Sequence, residues 1–432
     1  MSEARAEPRG GRLSDWWLYA ARGLVVALQA LVFLLFAALM SPDEFGRFAF
    51  AIAASRMVAA VVSGGMAGYL LREIPSRLAR GERPLFLGRI ALLGVGLPLI
   101  ATLGAALAVG ELPVEFAAFS GVETGGGTLV TAILALGFAF SVVGVAGTLV
   151  RVGAGSLAGM AVQQALPFAA LALAMVPRLF GIDYGVIDLL TAAAALLIVI
   201  SGLMILWQTR PTMPGAASGG ATPGLGRALR EAAPFWGNGM LIALATQLDI
   251  VIAALFIPSA ELGSYALIRN IANLVAIPRM IANWAIATRV ARAWAAGDRE
   301  GLRCSADEGR RLSARPALAG AGAIALAAPL WFTLYGVPAG AAWPWLVLGL
   351  LLAANLATAL LGLAIIYASQ CGLEALTLRV RIGALVLGAA VSAAGGAIAG
   401  SPGVALGSLV LTLALNATMT VAVRARTGIA TI

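Results

Sequence analysis

The sequence predicts an all-α integral membrane protein, on three observations: its composition, the length of its apolar stretches and the placement of its arginines. Of its 432 residues 61% are apolar and only 11% are charged, whereas soluble domains average about 25% charged residues. The mean hydropathy is +0.95. So few charges cannot cover the exterior of a water-soluble protein of this size. Most of the chain is therefore expected to lie in lipid.

Twelve stretches have the length and apolarity of a membrane-spanning helix, which needs about 20 residues. Lipid cannot satisfy free backbone groups, and the stretches are too long for barrel strands, so helices are expected. The predicted spans are 22–40, 47–71, 88–110, 127–150, 156–176, 186–207, 234–257, 264–288, 316–335, 343–367, 380–399 and 403–423.

The spans define five predicted regions. A polar N-terminal segment (1–21) has no cleavage pattern and leads into an uncleaved first helix. Two six-helix bundles (22–207 and 234–423) are joined by a linker rich in Gly, Pro, Ser and Thr (208–233). A short tail (424–432) follows the last span.

Arginine placement predicts the orientation of the chain. All 29 basic residues are arginine; 24 fall at one predicted end of the spans and two, Arg47 and Arg178, fall at the other. Cytoplasmic loops carry the excess of positive charge. Both termini are therefore expected in the cytoplasm.

The two predicted bundles carry related sequences. SPDEFGRFAFAIAASRMV begins at Ser41, at the junction of the first two spans, and PSAELGSYALIRNIANLV begins at Pro258, at the junction of the seventh and eighth. At an offset of 217 residues, Glu44 matches Glu261 and Gly46 matches Gly263. Two halves in the same orientation form a parallel repeat, an architecture of transporters with the substrate path between the halves.

The composition narrows the chemistry. There is no histidine, and the two cysteines, Cys304 and Cys371, do not suffice for a thiolate metal cage. The sequence has no glycine-rich phosphate loop followed by Lys-Ser/Thr. We therefore expect a protein that is not an enzyme, has no cofactor or metal, and does not bind nucleic acid.

Several polar side chains fall within the predicted spans, where ionisable groups are costly and often functional. On the eighth span they lie within one arc of about 120° at 100° per residue, and Pro278 is expected to kink that helix. Asp249 and Arg269 lie at comparable depth, so we expect them to pair. The predicted charged groups are Arg56, Arg269, Arg279, Arg22 at the inner mouth of the first span, and Asp249; the predicted polar lining of a cavity is Gln29, Asn238, Thr246, Asn270, Asn273 and Asn283.

Each of these residues also has a structural interpretation. The arginines are able to bond to Asp249, asparagines or helix carbonyls, or to reach the membrane surface. Asp249 is either a counter-charge or a carrier of a proton or cation. Gln29, Gln163, Gln164 and Asn355 suit a sugar path, and hydrogen bonds between helices explain them equally well.

The segments LMSPDEFGRFAFAIA, from Leu39, and YLLREIPSRLARGE, from Tyr69, resemble the polysaccharide-biosynthesis members of the multidrug/oligosaccharidyl-lipid/polysaccharide exporter superfamily, the Wzx-type O-antigen flippases. The resemblance is strongest over 12–90 and weaker over 234–300. It implies two six-helix bundles in a V, with spans 1, 2, 7 and 8 lining a central cavity. It also implies movement of an undecaprenyl-diphosphate-linked oligosaccharide to the outer leaflet of a bacterial inner membrane by alternating access.

Three classes of function are open to a membrane protein with these features. A flippase for an O-antigen, capsule or exopolysaccharide unit suits a series of arginines, because they offset the cost of desolvating phosphate. Its partners would be the lipid-linked substrate, membrane lipid and a polysaccharide polymerase or chain-length protein. A cation-coupled multidrug exporter of the same fold is the alternative, and it would favour an acidic cavity. A membrane glycan polymerase or ligase would need catalytic groups in a large outer loop, which the spacing does not provide.

Overall fold

The computed structural model describes residues 11–79, 85–109, 126–182, 184–209 and 225–431. Every regular element in these ranges is helical. The α-helices are α1 (Gly11–Leu39), α2 (Pro42–Val62), α3 (Met66–Ala79), α4 (Leu85–Val109), α5 (Gly126–Ala154), α6 (Ser156–Met160), α7 (Leu166–Leu179), α8 (Val186–Gln208), α9 (Leu225–Phe256), α10 (Ser259–Ala272), α11 (Ile277–Ala295), α12 (Arg299–Leu334), α13 (Ala342–Leu361), α14 (Leu363–Gln370), α15 (Glu374–Ala399) and α16 (Ser401–Thr427).

The helices form the predicted all-α membrane fold with twelve traverses. Ten helical stretches of the described chain are long and apolar enough to cross a membrane, and two shorter apolar helices, Gly23–Leu39 and Leu93–Leu107, complete the set. Four traverses are broken internally: α2 with α3, α6 with α7, α10 with α11, and α13 with α14. The fold class predicted from composition and periodicity is confirmed.

Two of these breaks are irregular helical turns. Pro278 lacks the N–H that would continue the helix, and there α10 gives way to a 3₁₀ turn, Asn273–Ala276, before α11 begins. The predicted kink is therefore confirmed. A π-helical turn, Ala161–Ala165, separates α6 from α7. Such turns expose a main-chain carbonyl, and Gln29 Nε2 donates to the carbonyl of Gln164 at 3.1 Å.

Three predicted boundaries differ from the structure. The second span breaks at Gly64 and Gly65, whose φ angles are +53° and +71°, values that glycine adopts readily. Helix α12 begins at Arg299, well before the predicted start at 316. The last part of the predicted 208–233 linker is the start of α9, because Ala228 and Ala232 are buried on its apolar side. Residues 210–224 of that linker, and residues 1–10, lie outside the described ranges.

The sequence repeat is also a structural one. A Cβ on Gly46 would collide with the main-chain carbonyl of Ser259, and a Cβ on Gly263 would collide with that of Pro42. The equivalent first turns of α2 and α10 thus pack against each other across the two halves. We call this contact the α2–α10 junction; the arginine distribution predicts that it faces the periplasm.

The matching glutamates anchor each first turn within its own half. Arg178 Nη2 donates to both carboxylate oxygens of Glu44, at 3.0 and 2.9 Å. In the second half, the Ser401 hydroxyl donates to Glu261 Oε1. A glutamate in the first helical turn also interacts favourably with the helix dipole, so both positions stabilise the start of a helix that meets its counterpart.

Candidate functional site

A cavity of about 440 Å³ lies between the two halves. Its walls come from α1, α2 and α7 of the first half and from α9, α10, α11, α13, α15 and α16 of the second. This arrangement includes the four spans expected to line it and adds helices α7, α13, α15 and α16. Among the described residues that line it, the charged ones are Arg56, Asp249, Arg269 and Arg279.

Asp249 and Arg269 form the predicted pair. Arg269 Nε lies 2.5 Å from Asp249 Oδ2, and their side chains are 12% and 13% exposed. A second guanidinium nitrogen of Arg269 donates to the main-chain oxygen of Thr246, and the Tyr265 hydroxyl donates to Asp249 Oδ2 at 3.3 Å. The other oxygen, Oδ1, is buried without a partner in the described part of the chain. Asp249 is thus a counter-charge to Arg269 in this conformation.

Arg56 has no carboxylate partner among the described residues. Its guanidinium lies over the ring of Phe168, 5.5 Å from the centroid, and it lines the cavity from the first half. An aromatic face attracts a cation without neutralising it. The positive charge of Arg56 is therefore available to a ligand in the cavity.

Arg279 is the second cavity arginine with no carboxylate partner in the described ranges. Its Nε is buried without a hydrogen-bond partner there. The side chain passes beside Gly362, where a Cβ would lie 2.7 Å from Arg279 Cδ. Gly362 is the C-cap residue of α13, so the guanidinium is near a helix C-terminus, where the helix dipole favours a positive charge.

Uncharged polar groups line the rest of the cavity. Of the predicted set, Gln29, Thr246, Asn270 and Asn273 are in the wall. Asn355, which the sequence left open between a sugar path and helix packing, is there as well. Further wall residues are not predictable from the sequence, because single hydroxyls on apolar helices carry no distinctive pattern. These are Thr358, Ser392, Ser408 and Thr412.

Three predicted site residues are not found in the described wall. Asn238 accepts a hydrogen bond from Arg381 Nη1 at 2.8 Å and lies away from the cavity. Asn283 lies four residues beyond Arg279 on α11, about 6 Å further along the helix axis, and is past the described wall. Arg22 is in α1, but its side chain is outside the described part. Their functional roles remain predictions.

Gln163 connects the π-helical turn to α5 within the first half. Gln163 Nε2 donates to the carbonyl of Gly144 at 3.3 Å and to the hydroxyl of Thr148 at 3.2 Å, and neither Gln163 nor Gln164 is in the described cavity wall. For these residues the structure favours helix packing over a sugar path.

The halves also meet at the opposite end of α2. The indole nitrogen of Trp236 donates to the carbonyl of Val61 at 2.8 Å. A Cβ on Gly65 would collide with the main chain of Trp236, and one on Gly68 would lie 2.9 Å from the ring of Phe235. The small-residue face of this segment therefore packs against α9 closely, a usual role of glycine in membrane helices.

Comparison with solved structures identifies the fold. A multidrug resistance MATE family transporter of the MOP superfamily, in an inward-facing conformation, aligns over 94% of each chain with a TM-score of 0.70 at 16% identity. The MATE multidrug transporter DinF-BH, bound to a ligand, aligns over 99% of this chain and 98% of its own, with a TM-score of 0.66 at 17% identity.

A MOP superfamily transporter from Pyrococcus furiosus aligns over 95% of each chain, with a TM-score of 0.64 at 17% identity. Its description states that the reverse polarity of its binding pocket suggests a different function. No protein-family model matches the present sequence, and no curated protein matches it. The chain therefore has the fold of the MOP superfamily transporters.

Proposed function

We propose that this protein moves an undecaprenyl-diphosphate-linked oligosaccharide from the cytoplasmic to the periplasmic leaflet of a bacterial inner membrane. One observation carries the proposal: the charged groups of the described cavity wall are three arginines and one aspartate. The single carboxylate belongs to Asp249 and is paired with Arg269. The cavity thus carries an excess of positive charge, which suits an anionic cargo.

Phosphate accounts for this excess better than other anions of a membrane substrate. A diphosphate carries several acceptor oxygens, and arginine matches their geometry with paired N–H donors. Moving such a group through lipid requires a substitute for its hydration. Arg56 and Arg279 provide that substitute from opposite halves, so closure of the halves around the group brings both charges to it.

The remaining wall residues suit a glycan. Amides and hydroxyls from α1, α9, α10, α13, α15 and α16 supply donors and acceptors for sugar hydroxyls. The polyprenyl chain is as apolar as the lipid tails, so it is expected to remain among them. The α2–α10 junction would have to separate for release on that side, which is alternating access.

A multidrug exporter is the second candidate function. The structurally similar transporters include MATE proteins described as multidrug transporters, and at this level of likeness the fold is common to both functions. The comparisons favour this candidate, whereas the charge of the cavity opposes it for cationic drugs. The two candidates therefore differ in the sign of the charge they require.

A binding experiment on the purified full-length protein in lipid nanodiscs separates the two. The probes are citronellyl diphosphate, a short prenyl diphosphate, and ethidium, a cationic drug. If the protein is a flippase, citronellyl diphosphate should bind saturably, and its affinity should fall at least tenfold in Arg56→Gln and in Arg279→Gln. The affinity should not change in Arg381→Gln, a matched control whose guanidinium bonds to Asn238 outside the cavity.

Transport is tested in the producing bacterium by deletion and complementation, with the leaflet of the lipid-linked glycan as the readout. The deletion should leave the glycan in the cytoplasmic leaflet, and the wild-type gene should restore it to the outer one. Saturable ethidium binding with no binding of citronellyl diphosphate would reject the flippase in favour of the multidrug exporter.

A further inference from the structure

Two asparagines from different helical elements share a hydrogen bond at the cavity wall. Asn355 of α13 donates its Nδ2 to Asn273 Oδ1 at 3.3 Å, and both residues line the cavity. The Asn355 Nδ2 also donates to the carbonyl of Leu351 at 2.9 Å. Because a main-chain carbonyl only accepts, this bond fixes which way the Asn355 amide is oriented.

The pair leaves one donor group and one acceptor unused. Both Nδ2 hydrogens of Asn355 are engaged, so its Oδ1 is the free acceptor. Asn273 accepts through Oδ1, so its Nδ2 is the free donor group, with no partner among the described residues. The pair thus offers a ligand one N–H donor group and one C=O acceptor, which complement the C=O and the N–H of a secondary amide.

The surroundings of the pair suit an acetamido group. The nearby wall is apolar, with Leu274, Ala276, Leu351 and Ala354 also in it, and a methyl group gains from contact with such surface. A hydroxyl at the same place would use the polar atoms but leave the apolar surface without a partner. The chemistry of the pair therefore favours an N-acetyl group over a hydroxyl.

The pair is also near a free positive charge. Asn355 lies in α13, and Gly362 follows seven residues later, a separation of about 10 Å along a helix. The side chain of Arg279 passes beside Gly362. Asn273 in the 3₁₀ turn and Arg279 in α11 follow each other in the same direction as Asn355 and Gly362. One groove thus presents a guanidinium and, further along, an amide pair, in the order in which a sugar diphosphate presents phosphate and sugar.

We infer that Asn273 and Asn355 are specificity-determining residues for an acetamido sugar attached directly to the diphosphate that Arg279 binds. The inference rests on the proposed flippase function and deepens it, since it names the chemistry of the first sugar. A cargo whose first sugar carries only hydroxyls is disfavoured by this groove.

The test compares three probes on the full-length protein in nanodiscs: citronellyl diphosphate, its N-acetylglucosaminyl derivative and its glucosyl derivative. The wild type should bind the N-acetylglucosaminyl probe at least tenfold more tightly than the glucosyl probe. Asn273→Leu and Asn355→Ala should bring that ratio close to one by weakening the binding of the N-acetylglucosaminyl probe. Asn273→Asp keeps the shape but replaces the Nδ2 donor with a charged acceptor. It should also bring the ratio close to one, while its charge weakens the binding of all three anionic probes alike.

Asn238→Ala is the matched control, since it removes an asparagine outside the cavity, and it should keep the wild-type ratio. Equal wild-type affinities for the two sugar probes, with citronellyl diphosphate still bound, would overturn the inference and leave the flippase proposal intact. Failure of all three probes to bind would overturn the proposed function together with the inference.

Discussion

Gly46 and Gly263 occupy equivalent positions of the repeat and pack against each other's helix across the boundary between the halves. A Cβ on either would collide with a main-chain carbonyl of the facing first turn, and a Cβ on Gly46 would also lie 3.0 Å from the nitrogen of Gly263. Beside them, the Ser259 hydroxyl donates to Asp43. The contact has two-fold character because each half contributes the same element to it.

Gly46→Val is expected to prevent the α2–α10 junction from closing, because its side chain meets main chain and not a movable side chain. The measure is the yield of a disulfide between Asp43→Cys and Ser259→Cys in a background with Cys304→Ser and Cys371→Ser. We expect the yield to fall at least fivefold in Gly46→Val. Gly349→Val, in an interior position of α13 where a Cβ meets nothing within 4 Å, is the control and should leave it unchanged. An undiminished yield in Gly46→Val would contradict the proposed steric role.

The Asp249–Arg269 pair is expected to be strongly coupled. Removing Asp249 alone leaves a guanidinium without its counter-charge, which in buried sites costs about 3–5 kcal/mol. Asp249→Leu should therefore lower the free energy of unfolding by that order, and Asp249→Leu with Arg269→Met should recover most of it. A double-mutant cycle compares the wild type, Asp249→Leu, Arg269→Met and the double variant, and thermal and denaturant unfolding in micelles gives the stability of each. Additive losses would mean that the pair contributes little.

Releasing Arg269 should strengthen anion binding. Asp249→Asn keeps the shape of the side chain but removes its charge, so a third guanidinium becomes available to a phosphate in the cavity. The affinity for citronellyl diphosphate is expected to rise about tenfold, with a stronger dependence on salt. Titration at two salt concentrations measures both effects. Weaker binding in this variant would indicate that Asp249 is itself needed to position Arg269.

The two cysteines offer a test of orientation and exposure. Cys304 is exposed and Cys371 is buried, and burial raises the pKa of the Cys371 thiol. Since the thiolate is the reactive form, Cys304 should react with a maleimide many times faster, and the slow reaction of Cys371 should accelerate as the pH rises. A membrane-impermeant maleimide should label Cys304 in inverted vesicles but not in intact spheroplasts. The opposite labelling would place the termini in the periplasm.

Much of the fold follows from local patterns. The composition and the apolar stretches predict a helical membrane protein, because lipid satisfies no backbone group and each span must satisfy its own. The kink at Pro278 follows from a missing N–H. The sequence misplaces the starts of α9 and α12, because amphipathic turns outside the lipid do not look apolar. In α9, Ala228 and Ala232 are nevertheless buried, in one cluster with apolar residues of the first half.

The site was predictable in part. Charges within apolar helices are conspicuous, so Arg56, Asp249, Arg269 and Arg279 stand out in the sequence, and equal depth predicted the pair. Asn238 and Asn283 lie at helical spacings from these charged residues, yet both are outside the described cavity wall. A periodic pattern identifies the residues that share a helix face only while the helix is unbroken. It does not identify the neighbouring helix that this face contacts.

The sequence by itself determined that the chain is helical, spans a membrane, and repeats one six-helix plan, since these follow from solvation and from local chain geometry. Only the tertiary structure decided which arginine is neutralised and which remain free, and that Asn273 meets Asn355. Such pairings depend on how distant helices pack, and packing is set by the shapes of both partners together rather than by either segment alone.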